Sequence, residues 1–319
     1  VLTITLVGVG ILALALGTDL RQSDILAVLS GHGSPIAQLV VWQLRAPRFV
    51  LAALSGAMLG LSGVLLQDTL RNPLASPELL ATSAGSTVVV AALVVFGSRI
   101  SFVVYPWLAL IGGVAASAVV LSALKRTVDP MRLILFGAAL SALLDAVVVA
   151  VIAAGQNLTS MLVLTFTLGS FAGQVWSHVA IIAPWAVGGF LLAGICAAPL
   201  NLLKLGDDIA EGRGLSVRSI RAAILIVAAI LVAPVVAVAG TVPWVALISP
   251  HMARLLMQSG DARDVLPVAA LVGATLLSAA DLISALLFAP EETPVGILLT
   301  LVAVPVVLLL IQRRGGAIA

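Results

Sequence analysis

Apolar residues fall in long blocks along this chain, with little alternation. Ten blocks stand out, at about 2–17, 49–66, 79–96, 102–124, 133–154, 179–199, 222–239, 242–257, 265–288 and 295–311. A helix needs about 20 mainly apolar residues to cross a hydrocarbon core of about 30 Å, and it leaves no backbone group unpaired in lipid. The pattern predicts an all-α polytopic membrane protein with about ten transmembrane helices, folded as one domain over residues 1–319. The polar-leaning stretches 18–48, 155–178 and 200–221 are too short for a soluble domain. Apolar pieces at 25–29 and 161–164 predict short surface or re-entrant helices within the first two.

The third polar stretch differs from a plain connector. Between Lys204 and Arg221, seven of eighteen residues are charged, in a chain that is 61% hydrophobic and 9% charged overall. Its local pattern predicts two short helices. Asp208 is placed to cap a helix whose third position is Glu211, Gly212 and Gly214 supply a stop, and Ser216 is placed to cap the next helix. Ile209, Leu215, Val217 and Ile220 give these turns an apolar side that suits a groove on a partner.

Composition bounds the rest. A mean hydropathy of +1.23 leaves too little polar surface for a soluble globule. The pI of about 9.2 comes from loop arginines and lysines rather than a basic aromatic face, so nucleic acid is not an expected partner and membrane lipid is. If the first span leaves the cytoplasm, one face holds Arg71, Lys125, Arg126, Arg132, Lys204, Arg213, Arg218, Arg221, Arg254, Arg263, Arg313 and Arg314, and the other holds Arg21, Arg45, Arg48 and Arg99. Short positive loops stay inside, so both termini and the 204–221 loop are expected in the cytoplasm. The chain begins within an apolar run that lacks a basic flank. That fits a mature or trimmed start, with the first span as insertion signal. Cys196 is the one cysteine, so neither an intrachain disulfide nor a metal pair is expected from it.

Several motifs occur in a fixed order. Gly56-Ala-Met-Leu-Gly-Leu-Ser-Gly63 and Gln67 precede Arg71-Asn72-Pro73-Leu-Ala-Ser-Pro77, and Arg45-Ala-Pro-Arg48 comes before them. Leu205-Gly206, Gly214-Leu-Ser-Val217, the run from Gly240 to Arg254 with Pro250-His251, Leu266-Pro267, Ala280-Asp281 and Glu292-Thr-Pro294-Val-Gly296 follow. Over nearly its whole length the chain resembles the FecCD-type permeases of ATP-binding-cassette importers for ferric siderophores, haem and cobalamin. The resemblance implies a type II importer architecture in the bacterial inner membrane. It also implies a second permease subunit, identical or homologous, two cytoplasmic ATPase subunits and an extracytoplasmic substrate-binding protein. The chain itself would be no enzyme. It contains no Gly-x-x-x-x-Gly-Lys-Ser/Thr phosphate loop, so ATP and Mg are expected on the partner ATPase and no cofactor on this chain.

The same resemblance assigns roles to residues. Leu205, Gly206, Asp208, Ile209, Glu211, Gly214, Leu215, Ser216 and Val217 would form the element that couples to the ATPase. Arg45 and Arg48 would receive acidic side chains of the binding protein, a task suited to guanidinium groups. Relatives often carry a third arginine after the Ala-Asp motif, where this chain has Ala285. Arg71, Asn72, Pro73, Pro250, His251, Arg254, Asp281, Pro294 and Gly296 belong to structural or gating motifs.

Two carboxylates, Asp145 and Asp281, fall inside predicted spans, where a charge is costly unless paired, protonated or facing water. Gly137, Ser141 and Asp145 recur every four residues on one helix face; the resemblance implies that this span borders the central pathway at the dimer interface, which makes them candidates to line the translocation pathway. Asp281 is expected to accept from Thr275, Ser278 or Ser284. Thr165, Thr167 and Ser170 are further candidates at the substrate entrance. An ion-coupled secondary transporter is the competing function, with the two aspartates carrying the coupling protons. An intramembrane enzyme finds no support, since neither His-Glu-x-x-His nor Gly-x-Ser-x-Gly occurs.

Overall fold

The computed structural model describes residues 1–16, 22–29, 31–96, 100–123, 129–155, 157–287, 289 and 293–315. Arg21, Arg99, Lys125, Arg126 and Glu292 lie outside the described residues. Every regular element among the described residues is helical. The ten apolar blocks correspond to α1 (Leu2–Ala15), α4 (Ala46–Thr69), α5 (Thr82–Phe96), α6 (Tyr105–Ser122), α7 (Pro130–Ala154), α9 (Trp176–Lys204), α11 (Val217–Ala239), α12 (Val245–Met257), α13 (Ala262–Leu287) and α14 (Val295–Gly315). Short helices occupy the polar stretches: α2 (Gln22–Leu29), α3 (Pro35–Leu39), α8 (Asn157–Leu168) and α10 (Asp207–Gly212).

Six of the described helices are long and apolar enough to cross a bilayer; α1, α5 and α12 are shorter, as is the Val295–Pro305 part of α14. Two of the short ones, α5 and α12, follow turns that are not α-helical and whose polar groups are met by protein. Before α12, the Thr241 amide donates to Phe166 O at 3.1 Å, and Gln174 donates to Val238 O at 3.1 Å. Pro77–Leu80 forms a tight 3-10 turn before α5, and Ser141 of α7 donates to Glu78 O there at 2.6 Å. Irregular backbone is tolerated at membrane depth only when neighbours satisfy it in this way.

The block expected to begin at 49 begins earlier. Pro35–Thr69 runs as one 35-residue helical stretch, with π-helical turns at Val40–Arg45 joining α3 to α4. Pro47 sits at the start of the α-helical part, and the wider turn before it, closed by the Ala46 amide on Val41 O, accommodates the ring without breaking the helix. Arg45 and Arg48 are therefore helix residues and not loop residues ahead of a span.

At the centre stands α4, buried along almost its whole length against α9, α11, α12 and α13. Lipid tails are as apolar as leucine, so burial alone does not drive helices together in a membrane; close van der Waals approach does. Gly56 and Gly273 supply that approach, because a Cβ on either would overlap the carbonyl oxygen of the other. The opposite case is α7, whose apolar length is mostly exposed, including Leu135, Leu143 and Val149.

Candidate coupling site

At one end of the bundle, the chain leaves α9 at Leu205 and turns at Gly206, whose φ of +117° is a region open to glycine. Gly206 is the residue that starts α10, and no side chain caps it. The expectation that Asp208 caps this helix is thus corrected: Asp207 and Asp208 both lie in its first turn, where negative charge meets the positive helix end. Ser216 precedes α11, but its hydroxyl turns to Ser219 Oγ at 3.1 Å rather than to a helix amide. Gly214, at φ +81°, makes the stop between the two helices.

What fixes α10 in place is Asp207. Its Oδ1 accepts from Arg221 of α11 at 2.8 Å and from Arg71 at 3.0 Å, and its Oδ2 accepts from Arg221 at 3.3 Å. Arg221 is fully buried, whereas the Asp207 side chain is 28% exposed. Arg71 itself has φ +49° just past the end of α4, a conformation that disfavours a side chain. Its neighbours hold the turn: the Asn72 amide donates to Gln67 O at 3.0 Å, and Asn72 Oδ1 accepts from the Leu74 amide at 2.9 Å. The Arg71-Asn72-Pro73 motif therefore ends α4 and aims one guanidinium at the loop.

A second ion-pair node lies alongside. Asp68 accepts from Arg254 at 2.7 Å and faces the Lys204 ammonium at 3.3 Å; Arg254 also donates to Gln67 Oε1 at 2.8 Å. Lys204 donates to Gly260 O, and Asn201 donates to Asp261 at 2.7 Å. The Arg263 amide, ahead of the Asn201 side chain, holds the Asp261 carboxyl below its ordinary range. Gln67, Asp68, Lys204 and Arg254, with His251, whose Nδ1 lies 3.0 Å from Leu247 O, line a cavity of about 480 Å³. Pro250 is buried one residue before it. The two nodes join the ends of α4, α9, α10, α11 and α12.

The loop surface left over is part apolar and part charged. Leu205 is 60% exposed and Ile209 51% exposed, with Asp208, Glu211 and Ser216 in water and Leu215 half-buried. Val217, expected on the same partner-facing side, is buried within the bundle at 2% exposure, because it begins α11 and points into the core.

The other expected sites sit elsewhere. At the opposite end, Arg48 grips Asp281 of α13 with two hydrogen bonds, of 2.7 and 3.0 Å. Asp281 takes no bond from the hydroxyls expected for it: Thr275 donates to Leu271 O at 2.8 Å and Ser284 to Thr293 O at 2.5 Å, and Ser278 Oγ has no partner among the described residues. Arg45 donates to Leu14 O at 2.9 Å. Pro294 begins the approach to α14, and Gly296 packs where a Cβ would overlap Leu168 O. Gly137 is buried against Leu79 O, and Ser141 is engaged by Glu78 O, so both serve the α7 contact with the 3-10 turn. Asp145, next on that face, is exposed and lines a cavity of about 400 Å³ with Thr87 and Thr167. Thr165 bonds back to Met161 O within α8 at 3.0 Å. No group of three or more metal-ligating side chains occurs among the described residues.

The fold and site define an apolar helical bundle with membrane-length helices and one short charged helix, α10, fixed at its end. The profile of the FecCD transport family matches residues 4–313, and the chain belongs to that family. It is 35% identical over 297 residues to the ferric enterobactin transport system permease protein FepG of Escherichia coli (strain K12), covering 92% of this chain and 89% of that one. It is 37% identical over 278 residues to the Fe(3+) dicitrate transport system permease protein FecD of the same organism, covering 86% of each. A solved structure of an inward-facing conformation, assigned to a metal-chelate type ABC transporter, superposes with a TM-score of 0.87 at 28% identity, covering 98% of this chain and 97% of that chain. This protein is accordingly a permease subunit of an ABC importer and not an enzyme. Asp281 is already neutralised by Arg48, which removes one of the two carboxylates on which ion coupling would rest.

Proposed function

We propose that this chain carries a ferric siderophore or related iron chelate inward across the bacterial inner membrane, driven by ATP hydrolysed on a separate subunit. Relatives named for ferric enterobactin and ferric dicitrate support that cargo class. Two ATPase subunits, holding ATP and Mg, serve the permease pair, and one of them takes the exposed side of this chain's α10 through Leu205 and Ile209, with Asp208, Glu211 and Leu215 around them. A second permease subunit covers the exposed apolar face of α7, and the pathway runs between the two copies past Asp145. A substrate-binding protein docks at the other end. There Arg45 and Arg48 receive its carboxylates, and Arg48 does so in exchange with Asp281. Both termini and α10 face the cytoplasm, as the arginine and lysine distribution predicts.

The observation that carries the reading is the attachment of α10. Asp207 links it to α4 through Arg71 and to α11 through Arg221, so a push on α10 is delivered to the central helix of the bundle. Replacing residues 207–214 by a Gly/Ser linker should leave ATP hydrolysis by the ATPase running while chelate uptake stops. Uptake at the normal rate after that replacement would refute coupling through this loop.

A further inference from the structure

Beside the coupling loop, α6 and α11 leave a groove of about 640 Å³ on the outside of the bundle. Val114 and Ala118 on α6 and Ile226 and Ile230 on α11 form its walls, and Val114 and Ile226 are 47% and 46% exposed. One end is different in kind: Arg218, Ser219 and Ser122 rim it. Arg218 is exposed and has no ion pair or hydrogen bond to any described residue, unlike Arg71, Arg221 and Arg254 around it.

The dimensions matter. From Arg218 to Ile230 the groove follows α11 for about 18 Å at about 1.5 Å per residue, and one leaflet is about half of a core of about 30 Å. The groove thus spans one leaflet, with its single cation at headgroup level and hydroxyls beside it. A zwitterionic lipid would fill the apolar walls but bring its own cation beside the phosphate, in competition with the guanidinium; a headgroup of net negative charge leaves its phosphate to Arg218 and matches both parts.

We propose that this groove is a binding site for one anionic phospholipid of the cytoplasmic leaflet, an acyl chain lying along α6 and α11 and its phosphate on Arg218 and Ser219. Basic recesses between helices on the cytoplasmic side are suited to such headgroups. The leaflet assignment rests on the orientation proposed above, which labelling of Arg218→Cys from each side of sealed vesicles tests by itself; Cys196, the chain's own thiol, is buried.

The test is native mass spectrometry of the gently solubilised protein, with whatever subunits accompany it, titrated with phosphatidylglycerol or phosphatidylcholine of identical acyl chains. Phosphatidylglycerol should be retained in preference, at one per permease chain. Arg218→Gln should weaken its retention about fivefold, Arg218→Lys should preserve it, and Ala118→Trp, at an exposed wall position, should displace the lipid by filling the groove. Arg132→Gln removes an exposed charge outside the groove and should change nothing. Equal retention of the two lipids, or equal losses in Arg218→Gln and Arg132→Gln, would overturn the site. Should Arg218→Gln fail to assemble, a phosphatidylglycerol with a photoreactive acyl chain decides the matter on the unaltered protein. Labelling at Val114, Ala118, Ile226 or Ile230 supports the site, and labelling confined elsewhere contradicts it.

Discussion

Arg221 is buried completely and Asp207 answers its charge, so the two residues stand or fall together. Removing one partner of a buried pair leaves an uncompensated charge and costs about 3–5 kcal/mol, whereas replacing both with apolar groups is often close to neutral. Asp207 is partly exposed, which screens the loss. Asp207→Ala is expected to lower stability by about 2 kcal/mol, and pairing it with Arg221→Met to restore most of that. Thermal unfolding of the detergent-solubilised variants would show it; additive losses in the double variant would mean the pair is not coupled. A parallel case is Arg48 with Asp281. Asp281→Asn should destabilise the protein and, by releasing Arg48, strengthen docking of the binding protein; surface plasmon resonance that found docking weakened would oppose the proposed exchange.

At the scale of elements, the sequence revealed the loop but not what holds it. Charge density alone marked 204–221, and its glycines predicted two helices; α10 and the start of α11 are where they were expected. The spacing of Asp208 to Glu211 fits a capping box, yet Gly206 starts the helix and both Asp207 and Asp208 fall in its first turn. Asp207 is bound to Arg71, 136 positions away in the chain, a partner no local pattern reveals. Val217 was misplaced for a related reason: apolar residues in a short helix read alike whether they meet a partner or the core. The charge at Arg221 gives one cue, since a lone arginine entering an apolar block calls for a buried counter-ion. The glycines of α4 were legible as a motif, but their use depends on α13. Gly56→Leu should force α4 from α13 and destabilise the bundle by about 1–3 kcal/mol or more. Gly188→Leu, facing open space, should be tolerated in the same melting assay.

For the whole molecule, each apolar block holds an apolar helix among the described residues, but six of these are long enough to cross a bilayer where ten spans are expected: turns before α5 and α12 take up part of the expected spans, and α4 gains an N-terminal extension. The exposed apolar face of α7 does not reveal its cover from sequence, since lipid and a second permease subunit make the same demand. Cysteines placed at Leu143 or Val147 should cross-link between copies of this chain, or to a homologous permease, in membranes; labelling by lipid probes alone would place that face in the bilayer. The central claim, that ATP acting elsewhere moves cargo through this chain, meets its most direct test in proteoliposomes containing the permease, its ATPase and a loaded binding protein. Uptake of a radioactive ferric chelate should require ATP, stop with vanadate and ignore proton and sodium gradients. Uptake by the permease alone, driven by an ion gradient and indifferent to ATP and vanadate, would contradict the account.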